Sequence, residues 1–248
     1  MLGRSIGFTF FGPMAYFWAR GYLQRPMQIR MAALFAIGGL QGAIGWWMVK
    51  SGLIDKNKTK EVDKTPRVSP YRLATHAGLA YSLYAVCLWQ AFNLLRRPQE
   101  AVVNNFAKVG ANTAYRQVLS RLTRGLLPFV LLTGFFTAGT AAGASCNTFP
   151  WVGEKWFYTS NHFFDSRDAP LWKNFTENKL VCQVNHRTLA SIMTLWATYS
   201  CFRLLTVRHL SPAARRSIYF LILALWTQVG IGVSVIWNNV PISLASAH

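Results

Sequence analysis

Residues 31–49 read MAALFAIGGLQGAIGWWMV, nineteen positions without a single charge. A helix needs ~20 mostly apolar residues to cross the hydrocarbon core of a bilayer, and this run has that length. Further uncharged runs lie at 73–95 (one histidine), 126–145 (one edge of a longer apolar stretch), 188–202 and 217–237, with a shorter one at 5–19. The run 188–202 extends to 181–205 across Arg187. Strands of a membrane barrel would alternate apolar and polar residues; these runs do not alternate. The expected fold is therefore all-α: a polytopic helical membrane protein with about six transmembrane helices, 5–19, 31–49, 73–95, 126–145, 181–205 and 217–237. Gly38, Gly39, Gly42 and Gly45 are expected to let helices approach closely, as small residues do in lipid.

Composition agrees. The chain has 248 residues, 52% of them hydrophobic, with ten Trp and seventeen Phe, and only 14% are charged. Disorder is excluded, because disordered chains are polar and poor in aromatics. The net charge of +18 does not imply nucleic acid, since the cations sit between long uncharged stretches rather than on a normally charged surface. The loops after 5–19, 73–95 and 181–205, counted with Arg203 at the end of the last span, hold thirteen Lys and Arg against Glu100 alone. The stretches 50–72 and 143–180 hold eleven, with the seven other acids. Positive charge near span ends marks the inner face, so the first set of loops is expected on the cytoplasmic or matrix side, facing anionic headgroups. No cleavable signal pattern is visible at the start.

His76, His186 and His248 fall near the ends of expected spans on the face opposite the Arg-rich loops. An ionisable or coordinating side chain within a span is costly, and it usually faces the bundle interior. Such histidines either hydrogen-bond a carbonyl across the bundle or ligate a haem iron as neutral imidazoles. His162 and His209 read as loop residues. A short internal repeat adds order: Gln41-Gly42-Ala43-Ile44-Gly45 reappears as Gln228-Val229-Gly230-Ile231-Gly232, and each is followed by a loop and a histidine, His76 or His248. The repeat implies two four-helix halves, 1–124 and 125–248. It leaves the first half's partner histidine two residues before Met1, and it starts a further helix at His248.

At this point the sequence resembles the haem A synthase family in its mitochondrial and alphaproteobacterial form. The resemblance rests on Gly38-Gly39-Leu40-Gln41-Gly42 through Leu53, on Pro66 to His76, and on Ala142-Gly143 with Asn147-Thr148-Phe149-Pro150. It continues in Trp172 to Phe175 with Glu177-Asn178, in Gln183 to Arg187, and in Gln228 to Gly232 with Pro241 and His248. The resemblance implies an eight-helix enzyme of the mitochondrial or bacterial inner membrane that oxidises the C8 methyl of haem O to the formyl of haem A, for cytochrome c oxidase biogenesis. It implies haem b held by His186 and His248, and His76 as one ligand to the substrate haem. Arg187 would pair with a haem propionate or else snorkel to headgroups; Arg67 and Arg72 are weaker candidates for the same role. A ferredoxin-type electron donor and a haem O synthase are the implied partners.

Family features at both ends are absent from the sequence: the first helix, the Glu and His-Arg that open the second, and the last helix. The family's catalytic carboxylate thus has no counterpart, which leaves the catalytic residues unknown. The chain then reads as a fragment, as one product of a split gene completed by another chain, or as a non-catalytic subunit of a respiratory assembly. A di-haem electron-transfer protein is a further class that uses paired histidines. Cys146 and Cys182 flank the long 143–180 connection and either form a disulfide or, as expected without a typical motif spacing, stay free thiols, with Cys87 and Cys201 as packing residues. That connection is long enough for a lid. Phe149, Trp151, Trp156, Phe157, Phe163, Phe164 and Trp172 give it an apolar side for the membrane interface or a porphyrin edge. The Lys56 to Lys64 run reads as a solvated loop.

Overall fold

In the computed structural model, residues 2–55, 67–95, 113, 117–118, 120–153, 170–207 and 210–248 are described. The chain divides into two compact units, Met1–Gln99 and Glu100–His248. Residues 96–112, where these units divide, lie outside the described residues.

The first unit is three helices, α1 (Leu2–Ala19), α2 (Arg25–Asp55) and α3 (Pro70–Leu95). Gly21 ends α1: its φ of 70° is the left-handed value glycine adopts without cost. The N–H groups of Gly21 and Tyr22 then return to the carbonyls of Trp18 and Phe17, each at 3.0 Å, which closes the helix end with a Schellman turn. Phe11 of α1 meets Phe35 of α2 with ring centroids 5.2 Å apart. Helices α2 and α3 run antiparallel. Ser69 N–H donates to Ser51 Oγ at one end (2.9 Å), Gln41 reaches the His76 carbonyl in the middle (2.9 Å), and Arg30 reaches Gln90 at the other end (3.4 Å).

In the second unit a π turn, Leu122–Leu126, leads into α4 (Leu127–Gly139), and a single 3₁₀ turn follows at Ala142–Ala144. Then come α5 (Leu171–Glu177), α6 (Lys179–Leu205), α7 (Pro212–Trp237) and α8 (Ile242–Ala247). The α6 start is capped by Asn178, whose side chain accepts from the N–H groups of Leu180 and Val181. Ser211 caps α7 in the same way, with Pro212 at its first turn. The expected span 126–145 stops at Gly139: Ala141 takes a φ of 54° and its N–H returns to the Ala138 carbonyl at 3.1 Å.

Apolar residues such as Ile218 and Val181 are buried, yet many large apolar side chains face outward and several polar ones lie inside. Phe220 is 69% exposed and Trp46 65%, whereas Gln183 is 2% and Thr194 4% exposed. Lipid tails are as apolar as Leu, so apolar side chains gain nothing by turning inward, and polar groups collect where they can bond one another. Three helical stretches among the described residues are long and apolar enough to cross a membrane: Arg25–Leu53, Pro70–Leu95 and Pro212–Trp237. Helix α6 has the length, but Gln183, Asn185, His186 and Arg187 lower its hydropathy; the apolar stretch Arg124–Gly139 is shorter. Gly38, Gly39 and Gly42 correct one expectation: among the described residues nothing packs where their Cβ would be, and only Gly45 of that set receives a neighbour.

Asn178→Ala removes an acceptor for two helix N–H groups and is expected to cost about 1 kcal/mol. Thermal unfolding in detergent, followed by circular dichroism, measures the loss; an unchanged midpoint would contradict the capping role.

Candidate functional site

His186 lies two turns into α6, where it faces α4 at Gly134. A Cβ at Gly134 would stand 3.1 Å from His186 Cε1, so the absence of a side chain there makes room for the ring. The preceding residue fixes the ring's protonation. Thr133 Oγ1 donates its one hydrogen to the Val130 carbonyl (2.9 Å) and stands 3.1 Å from His186 Nδ1. With that hydrogen spent, the hydroxyl accepts from Nδ1–H, which leaves Nε2 with the free lone pair.

His248 arrives from the opposite side through a sharp reversal. Asn239 takes a φ of 58° after α7, and the N–H groups of Asn239 and Val240 return to Ile236 and Val235. Pro241 then starts α8, which folds back along α7. The ring meets Gly232, where a Cβ would come within 2.6 Å of His248 Cε1. Gln228, one turn earlier, donates its amide to the His248 carbonyl and lies 3.2 Å from Nδ1. The His186 and His248 rings are brought together, with centroids 6.5 Å apart and planes at 79°.

His76 belongs to the first unit and has the same setting. A Cβ at Gly45 would lie 2.9 Å from its Cε1, and Gln41 Nε2 donates to its carbonyl at 2.9 Å. Gln41 Oε1 and His76 Nδ1 are buried with no hydrogen-bond partner among the described residues. Nearby, Arg72 donates to the Trp47 carbonyl at 2.8 Å and its guanidinium lies over the Trp47 ring.

Beside His186, two residues of α6 hold the start of the long connection. Gln183 Nε2 donates to the carbonyls of Gly143 and Cys146, each at 3.0 Å, and its Oε1 accepts from Ser145. Arg187 donates to the carbonyls of Cys146 (2.7 Å), Thr148 (2.8 Å) and Trp151 (3.4 Å). Its Nε is buried and has no partner among the described residues. Cys146 sits in this turn, accepting from the Gly153 N–H at 3.2 Å and touching the Thr148 hydroxyl at 3.1 Å. Partial burial pushes its thiol up. Hydrogen bonds from Thr148 and Gly153, together with the Arg187 charge, outweigh that and leave it below the usual thiol range.

All four cysteines are free thiols, as the sequence led us to expect. His162, His209, Trp156, Phe157, Phe163, Phe164 and the Lys56 to Lys64 run lie outside the described residues. Trp151 and Trp172 are exposed and Phe149 is half-buried. Sequence reasoning missed Thr133, Gly134 and Gln183. The available signal was polar residues and a glycine inside an otherwise apolar helix face, and it was not specific.

The molecule is thus a multi-pass helical membrane protein whose second unit sets two imidazoles close together with their planes nearly perpendicular. The chain belongs to the cytochrome oxidase assembly protein family COX15-CtaA, whose model matches residues 1–248. It is similar to "Heme A synthase" of Nitrosospira multiformis (34% identical) and to "Heme A synthase COX15" of Bos taurus (36%) and Arabidopsis thaliana (36%). All of this chain is covered in each case, against 64%, 57% and 52% of those proteins, so it spans between half and two thirds of their length. No solved structure matches it. With relatives in bacterial and mitochondrial systems, and with its membrane-competent helices, it is a multi-pass inner-membrane protein.

A lowered thiol pKa gives more thiolate at neutral pH. Maleimide labelling of Cys146 is therefore expected to rise at lower pH than for an ordinary thiol, and Arg187→Leu to move that rise to higher pH. An unchanged labelling profile would show that Arg187 does not act on the thiol.

Proposed function

We propose that the chain carries the haem-binding core of a haem A synthase, acting in cytochrome oxidase assembly on haem O as substrate. The observation that carries this reading is the His186–His248 pair. A metal–imidazole bond is about 2.0–2.1 Å, and two imidazoles on opposite sides of one metal then have ring centroids roughly 6.3 Å apart. The observed spacing is 6.5 Å. Among the described residues there is no group of three or more His, Cys, Asp or Glu able to hold a metal. A pair of donors suits a macrocycle that brings its own four.

In this reading His186 and His248 hold haem b, and His76 is one ligand of the substrate haem in the first unit. Bound haem supplies the redox chemistry, while the protein sets its orientation and potential. With Thr133 Oγ1 accepting a hydrogen bond from Nδ1–H, His186 offers Nε2 as the free lone pair. Gln183 and Arg187 fasten the 143–151 segment to α6 beside His186, which restricts access of water from that side. Arg187 has spent both terminal nitrogens on carbonyls and keeps Nε for an acidic group such as a propionate. The two halves 1–124 and 125–248 then serve the substrate haem and haem b. A ferredoxin-type donor would supply electrons, haem O synthase would supply the substrate, and a complementing chain would add helices.

Haem b titrated into the detergent-purified chain should give a low-spin spectrum of bis-histidine character. His186→Ala and His248→Ala should each abolish that character. An unchanged Soret band in either variant would overturn the ligand assignment.

A further inference from the structure

The repeat read from the sequence has a physical counterpart that haem ligation alone does not require. In both units a glutamine donates its side-chain amide to the backbone carbonyl of a histidine on the neighbouring helix, Gln41 to His76 and Gln228 to His248. In both, the glycine one helical turn further on occupies the place where a Cβ would collide with that histidine's ring. A residue four positions on lies on the same helix face. Glutamine and glycine therefore act on one imidazole together, the first on its main chain and the second on its ring edge.

We propose that Gln228 is a positioning residue for the His248 imidazole, with Gln41 its counterpart for His76. The proposal rests on the haem-ligand reading given above. His248 follows Ile242–Ala247, a helix that Pro241 begins and that packs against α7. A backbone carbonyl gripped from α7 fixes the Cα position, and the Gly232 surface then limits how the ring can rotate. Outer groups that orient a ligating histidine typically carry a 10–100-fold effect on metal affinity. The two settings differ in one respect: Gln228 also stands 3.2 Å from the ring nitrogen, whereas Gln41 Oε1 and His76 Nδ1 are both without a partner among the described residues.

The test compares the full chain and its Gln228→Met form, each loaded with haem b. Two readouts are used: the haem dissociation constant by Soret titration, and the anisotropy of the low-spin electron paramagnetic resonance signal, which follows the angle between ligand planes. Near-perpendicular rings predict a strongly anisotropic signal in the unsubstituted chain. Gln228→Met is expected to weaken haem binding 10–100-fold and to change the anisotropy. Gln228→Asn, which keeps the amide but shortens its reach, should do the same and serves if Gln228→Met does not fold. Thr198→Ala is the control. It removes the α6–α7 bond from Trp226 at 3.2 Å but lies twelve residues, roughly 18 Å of helix, from His186. It should alter neither readout. If Gln228→Met matches the unsubstituted chain, or if Thr198→Ala shifts the signal equally, the positioning role is overturned. Absence of any bis-histidine signal from the unsubstituted chain would instead overturn the haem-ligand reading itself.

Discussion

The structure depends on one steric allowance: three helix positions without a Cβ, each filled by the edge of an imidazole. Gly45, Gly134 and Gly232 receive His76, His186 and His248, and a methyl group at any of them would fall within 2.6–3.1 Å of Cε1. In lipid this allowance matters more than in water. Apolar burial does not pull helices together there, so packing and polar contacts must do so. The small residue lets the ring lie against the neighbouring helix, and hydrogen bonds then hold it. Thr133 acts on the ring of His186, while Gln228 and Gln41 act on the main chain of the other two.

Around these contacts the remaining polar groups form a second layer. Gln183, His186 and Arg187 follow one another on α6, and the first and last of them grip carbonyls of the segment 143–151. A buried charge is costly unless its hydrogen bonds are satisfied, and Arg187 meets most of that requirement with main-chain oxygens. The sequence left propionate and headgroup as the alternatives for this side chain. A third use, holding a loop, was not readable because its partners are backbone atoms thirty-six to forty-one residues away.

Much of the fold was legible. Uncharged runs of span length can do little else than cross a membrane, so 31–49, 73–95 and 217–237 mark the long helices α2, α3 and α7. Their ends were less legible, because helices continue past the apolar core into polar surroundings: α2 begins at Arg25 and reaches Asp55. The stop after Gly139 was hidden, since an alanine in a left-handed conformation, Ala141, leaves no distinctive mark. A further helix was expected to begin at His248; it begins six residues earlier, at Ile242, because Pro241 starts it. Of the site, the histidines and the Gln–Gly repeat were visible because polar residues are rare in such spans. Thr133 and Gly134 were not, since a lone Thr-Gly pair among leucines and phenylalanines has many uses.

The family membership and the ring geometry meet in one claim, that α6 and α8 present His186 and His248 to opposite faces of one iron porphyrin. An experimental density map of the haem-loaded chain tests it most directly. The account predicts iron between the two rings, about 2 Å from Nε2 of each, with Gly134 and Gly232 behind them. Haem seated elsewhere, or either imidazole turned outward to lipid, would contradict it.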